Sequence, residues 1–160
     1  VKLAPDAPQE IEQGLIMSAT GETQERTSEE GAVGISSTLP TVALAATPND
    51  PAVLGVLVAE TPLVSDHWYT AAEGERFGIV NALGEGRVWI TDANGAVALG
   101  DYITTSAIPG YGQRQDDDLV HSYTLGKVIE TVEWDAVIET VEYDGAVYRA
   151  YLVAVVYTSG

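Results

Sequence analysis

Residues 76–111, RFGIVNALGEGRVWITDANGAVALGDYITTSAIPGY, decide the fold class, because short β-prone runs alternate in them with turn residues. Gly84-Glu85-Gly86 separates the apolar run Phe77 to Leu83 from Arg87-Val88-Trp89-Ile90-Thr91 and reads as a hairpin turn. Asn94-Gly95 is the dipeptide best suited to the positive φ angles of a tight turn. Gly100-Asp101 launches Tyr102-Ile103-Thr104-Thr105, and Pro109-Gly110 ends it. Trp89, Tyr102 and the β-branched residues suit a pleated, half-buried surface better than a helix.

The rest of the chain follows the same pattern. Leu15-Ile16-Met17, Ala32 to Ile35, Val42 to Ala45 and Val53 to Val58 are short apolar runs bounded by Pro, Asn, Asp, Ser or Gly. About ten such runs predict an all-β domain, an antiparallel, hairpin-rich barrel or sandwich with little helix. The one candidate helical turn spans Trp134 to Glu139, and its Val content argues against anything longer. Residues 1–13, with Pro5 and Pro8, read as an extended N-terminal arm or linker, and 14–160 as a single β domain. Val128-Ile129-Glu130-Thr131-Val132-Glu133-Trp134 is echoed by Val137-Ile138-Glu139-Thr140-Val141-Glu142-Tyr143. Two units this short do not make a solenoid, and the echo predicts two adjacent strands or a strand with a bulged continuation. Asp144-Gly145 should turn the chain into a last strand, Ala146 to Tyr157, whose apolar run from Tyr151 to Val156 asks to be covered on both faces by the domain or by another subunit.

Composition narrows the function. Seven Lys and Arg against 24 Asp and Glu give a formal charge of -17. Nucleic acid and anionic membrane are therefore disfavoured as partners, because both are bound through clustered cations and the basic residues here are scattered. The sequence lacks cysteine, which excludes disulfides, thiolate catalysis and thiolate zinc sites. His67 and His121 have no metal-binding spacing, so no metal and no cofactor is expected. The start has neither the basic nor the apolar region of a signal peptide, and no apolar stretch is long enough to span a bilayer as a helix.

The order "VLGVLVAETP" (53–62), "GERFGIVNALGEGRVWITDANGAVALGDYITTSAIPGYGQRQ" (74–115) and "HSYTLGKVIE" (121–130) resembles the C-terminal domains of phage and giant-virus fibre, tailspike and neck-appendage proteins. These are the intramolecular-chaperone, self-cleaving modules of the peptidase G2 type. The resemblance covers roughly the last two thirds of the chain. It implies an all-β module at the virion surface, on a fibre, tail or capsid. Such a module would form a homotrimer, assemble an upstream fibre or capsid protein, and in some cases cut itself free. It does not supply catalytic positions residue by residue.

Candidates for that chemistry come from the residues themselves. Cleavage without Cys can use two carboxylates whose pKa values are pushed apart, one activating water and one protonating the leaving amine. Asp116, Asp117 and Asp118, three residues before His121, are the densest acidic cluster. His121 could exchange a proton with it, and the competing reading is a solvated loop before a Leu119-Val120 strand. Calcium held by the same triplet is a further alternative, without the ligand spacing of an EF-hand. If the module cuts itself, the expected bond lies at or before residues 1–13. Asp101 and Ser106 read as turn chemistry, and Ser106 lacks a G-x-S-x-G elbow. His67-Trp68-Tyr69 suggests either a loop anchored by its Trp or a glycan-binding platform at Trp68 and Tyr69. The alternatives to an assembly domain are thus a non-enzymatic capsid or decoration protein and a glycan-binding β module.

Overall fold

A computed structural model of the chain describes residues 1–25, 38–62 and 71–159. The described residues form eleven strands and one short 3-10 turn, and the all-β expectation holds. The strands are β1 (Lys2–Leu3), β2 (Ile16–Gln24), β3 (Leu39–Leu44), β4 (Val53–Thr61), β5 (Phe77–Asn81), β6 (Gly84–Thr91), β7 (Tyr102–Thr105), β8 (Gly112–Arg114), β9 (Gly126–Val128), β10 (Thr140–Tyr143) and β11 (Ala146–Tyr157). The 3-10 turn is Trp134–Ala136, inside the segment expected to turn.

Two closed systems share one wall. The first is a barrel in the order β1-β3-β2-β4-β5, closed where Lys2 of β1 pairs with Phe77 of β5. The second is a sheet ordered β10-β11-β6-β8-β7-β9, in which β9 also pairs with β11. That extra pairing joins β11, β6, β8, β7 and β9 into a ring, with β10 added outside on β11. The wall is made by β2 and β4, and period 2 explains it: consecutive residues of a strand point to opposite faces. Ile16 and Val56 lie directly opposite one another and belong to the larger core, with Val88, Ile90, Ile103, Leu125, Val153 and Val155. Met17 and Leu57, the next residues along, belong to the smaller core with Leu3 and Val42. All four wall residues are fully buried. Strands covered on both faces read as unbroken apolar runs, and "LIM" and "VLGVLV" are such runs.

Gly14 fastens the first barrel to the second. Its amide donates to the Leu57 carbonyl at 2.9 Å, and its carbonyl accepts the Trp89 amide at 2.9 Å. It does so at φ +95°, and a β-carbon there would sit 2.8 Å from Leu152 Cδ1 and 3.0 Å from Trp89 Cδ1. Only glycine adopts that conformation at little cost and leaves room for the indole.

Several local expectations are corrected. Gly84-Glu85-Gly86 is not a hairpin turn. Gly84 opens β6, which pairs with β11 and β8, whereas β5 pairs with β4 and β1, so the chain passes there from one closed system to the other. The two echoed segments are not neighbours: β9 pairs with β7 and β11, and β10 pairs with β11 alone. Leu119 and Val120 are exposed and form no strand. Residues 1–13 contain β1, and Leu3 is buried in the smaller core, so the segment expected as an arm supplies a wall of the barrel. The expected strand at Ala32 to Ile35 lies outside the described residues. The Asp144-Gly145 turn is as expected: Tyr143 pairs with Ala146, and φ values of 50° and 79° at the two turn residues give the tight two-residue hairpin.

Candidate functional site

The acidic triplet sits on the loop between β8 and β9, and its three carboxylates face different surroundings. Asp116 Oδ1 accepts a hydrogen bond from Asn94 Nδ2 at 2.8 Å. Asp117 turns back along its own loop. His121 Nε2 lies 3.0 Å from its Oδ1 and 2.9 Å from its Oδ2, Gln115 Nε2 donates to Oδ1 at 2.8 Å, and the Leu119 amide donates to Oδ1 at 3.2 Å. Asp118 is exposed. The structure thus brings Asp117 and His121 together and directs Asp116 to Asn94.

Beneath this pair lie two buried polar residues that sequence reasoning passed over. Thr124 Oγ1 donates to Gln115 Oε1 at 2.6 Å and accepts the His121 amide at 2.9 Å. Gln115 Nε2 also donates to the Leu119 carbonyl at 2.6 Å. Both side chains are satisfied, as buried amides and hydroxyls must be. Their only sequence signal was a polar residue just outside an apolar strand, which is weak. The loop is therefore closed by a polar ladder running from Thr124 through Gln115 and Asp117 to His121, whose ring stacks on Tyr123 with centroids 4.6 Å apart.

The electrostatics follow from the bonds. The His121 hydrogen bond, helped by the Leu119 amide and Gln115, holds the Asp117 carboxyl below the usual carboxylate range against a smaller opposing effect of burial. Burial, then the charges of Asp117 and Asp116, push the Tyr123 phenol up. An ionised Asp117 can orient the His121 ring, but it is not a proton donor at neutral pH. No hydroxyl among the described residues hydrogen-bonds the His121 ring, and Thr124 Oγ1 is committed elsewhere. Nor do three or more His, Cys, Asp or Glu side chains come together among the described residues to hold an ion. Asp101 and Ser106 carry out turn chemistry: Asp101 Oδ2 accepts the Ala98 amide at 2.9 Å, and Ser106 Oγ donates to the Tyr111 carbonyl at 2.6 Å. Trp68 and Tyr69 lie outside the described residues.

A second candidate, not foreseen, is an open groove of about 420 Å³ on the outer face of β6 and β11. Trp89 and Leu152, paired across the two strands, form its floor, and Val137, Ile138 and Tyr151 its walls. Trp89 Nε1 donates to the Gln13 carbonyl at 3.2 Å, and its ring tilts against Tyr111 at 6.2 Å. Glu133 and Glu139 stand at the rim. Burial first, then the charges of Glu12 and Glu139, push the Tyr111 phenol up, so Glu12 also lies within electrostatic range of this corner. Ile138 is 89% exposed.

Beside the groove the β10–β11 hairpin is amphipathic. Val141 faces Tyr148 and Tyr143 faces Ala146 across the ladder, so these four apolar side chains share one face. None of the four is buried. Comparison with known proteins gives no match: no family model fits the chain, and neither a curated protein nor a solved structure is significantly similar to it.

Proposed function

We propose that the chain is an assembly module that associates with copies of itself, as a homotrimer, at the end of a viral fibre or another virion structural protein. The observation that carries the association is the hairpin face of Val141, Tyr143, Ala146 and Tyr148, an apolar sheet face that the described residues leave half-buried at Val141, Ala146 and Tyr148 and exposed at Tyr143. Contiguous exposed apolar surface marks an interaction site more often than a free surface. The virion and the trimer rest on the turn order of residues 53–130, which resembles the fibre modules. Each copy carries -17, so self-association works against charge repulsion, and salt should strengthen it by screening.

Light scattering at micromolar concentration tests the reading. The wild type should have the mass of a trimer, more completely in about 0.5 M than in about 0.05 M salt. Tyr143→Lys should be a folded monomer, because it places a charge on the face without touching either core. A monomeric wild type at both salt concentrations would overturn the proposal.

Self-cleavage is a second reading, and the Asp117–His121 pair is the observation that favours it. Intact mass of an N-terminally extended chain tests it. A processed species that disappears in both Asp117→Asn and His121→Ala supports it, and an unprocessed wild type removes it.

A further inference from the structure

The groove over Trp89 and Leu152 has a different chemistry from the hairpin face. Its floor and walls are apolar, yet the side-chain carboxylates of Glu133 and Glu139 at the rim have no hydrogen-bonding or ion-pair partner among the described residues. The cations nearby are already committed. Arg149 Nη1 donates to the Trp134 carbonyl at 2.8 Å and lies 3.8 Å from Asp135, and Arg87 Nη1 donates to the Leu152 carbonyl at 3.1 Å and reaches Glu130 at 3.4 Å. Uncompensated carboxylates thus border an aromatic and aliphatic slot whose volume falls within the range of about 300–1,000 Å³ typical of ligand pockets.

A second copy is a poor occupant. With seven basic residues against 24 acidic ones, it would bring more carboxylates to a rim whose carboxylates have no cation partner among the described residues, and like charges brought together oppose binding. The slot asks for an apolar side chain on Trp89 and Leu152, and the rim asks for cations beside it. One molecule that supplies both is a polypeptide segment mixing apolar residues with Lys or Arg. The indole adds to the match, because a Lys or Arg head group is attracted to an aromatic face.

We infer that the groove bounded by Trp89, Leu152, Val137, Ile138, Glu133 and Glu139 docks a segment of a different polypeptide, one with an apolar anchor flanked by Lys or Arg. The inference goes beyond the assembly reading and uses other residues, so the two can fail separately. Salt separates them as well: peptide binding at the rim should weaken with salt, whereas self-association of the acidic chain should strengthen.

The test pans a displayed library of random octapeptides against the intact protein at low salt, and then measures the most enriched peptide by calorimetry. Enriched sequences should combine a large apolar residue with Lys or Arg. Affinity should fall about fivefold to tenfold in Glu133→Gln/Glu139→Gln, in keeping with the loss of two exposed ion pairs. It should also fall in Ile138→Ser, and between about 0.05 M and about 0.5 M salt. Tyr143→Lys should bind the peptide as the wild type does, whatever its oligomeric state. No enrichment, enrichment of peptides without basic residues, or affinity unchanged in the glutamate double variant would overturn the inference. So would self-association of the wild type that Ile138→Ser abolishes, since that would give the groove to a second copy.

Discussion

The two closed systems are built round one wall and yet are held shut in different ways. The first barrel is sealed by β1, two residues long, which runs parallel to β3 and meets β5 at a single pair, Lys2 with Phe77. The second is organised on β11, twelve residues long, which pairs with β10, β6 and β9 in turn. The cores match this difference. Leu3, Met17, Val42 and Leu57 are the buried residues of the smaller one, bordered by the half-buried Val1, Ile11 and Leu44. The larger one takes residues from both systems, including Ile16 and Val56 of the wall. A short seam with half-buried neighbours can relax when a side chain is removed, whereas a long central strand cannot.

That contrast is open to test. Ile90→Ala, in the middle of the larger core, should cost toward the upper end of about 2–5 kcal/mol. Met17→Ala should cost toward the lower end, because the half-buried neighbours can close in on the space. Urea unfolding followed by circular dichroism measures both. Equal costs would show that the smaller barrel is as tightly packed as the larger.

Gly14→Ala probes the fastening between the systems and should cost about 2 kcal/mol, from the positive φ and the close approach to Leu152 and Trp89 together. In the same urea experiment, a neutral substitution would mean that the segment moves aside without loss and that the contact at Trp89 is not needed.

The smallest expected effect is at the polar ladder of residues 115–124. Asp117 has its carboxyl held below its usual range by His121. Its contribution to stability is therefore present above the unfolded-state pKa and is lost as pH falls through the lower folded-state value. Asp117→Asn should lower stability slightly at neutral pH and flatten the fall below about pH 4, so that the two curves converge in acid, and the difference should be small because the loop is exposed. Thermal unfolding of both proteins across that range checks it. Parallel curves would take the ladder out of the acid response.

Legibility in the sequence followed the locality of each contact. The Asp144-Gly145 hairpin could be read because both strands and the turn lie within a few residues and the turn demands positive φ. The extent of β11, Ala146–Tyr157, was legible for the same reason. The turn at Gly84 was misread because a Gly-rich break looks the same whether the chain folds back on itself or crosses to another sheet. Asp117 and His121 stood out as a candidate cluster, but their partners Gln115 and Thr124 did not, since a polar residue shows no sign of burial until its neighbours are placed. The groove was invisible for a similar reason: Trp89, Leu152 and Ile138 come from segments separated along the chain, and each alone reads as core.

The chain by itself determined the β class, the tight turns and the strong acidity, because backbone preference, turn geometry and charge belong to single residues or to neighbours in sequence. Only the tertiary structure decided that Ile16 and Met17 serve two different cores, that residues 2–3 close a barrel against residues 41–42 and 77, and that a carboxylate-rimmed apolar groove opens over Trp89. Pairing between distant segments depends on which surfaces can be buried together, and that is a property of the whole chain.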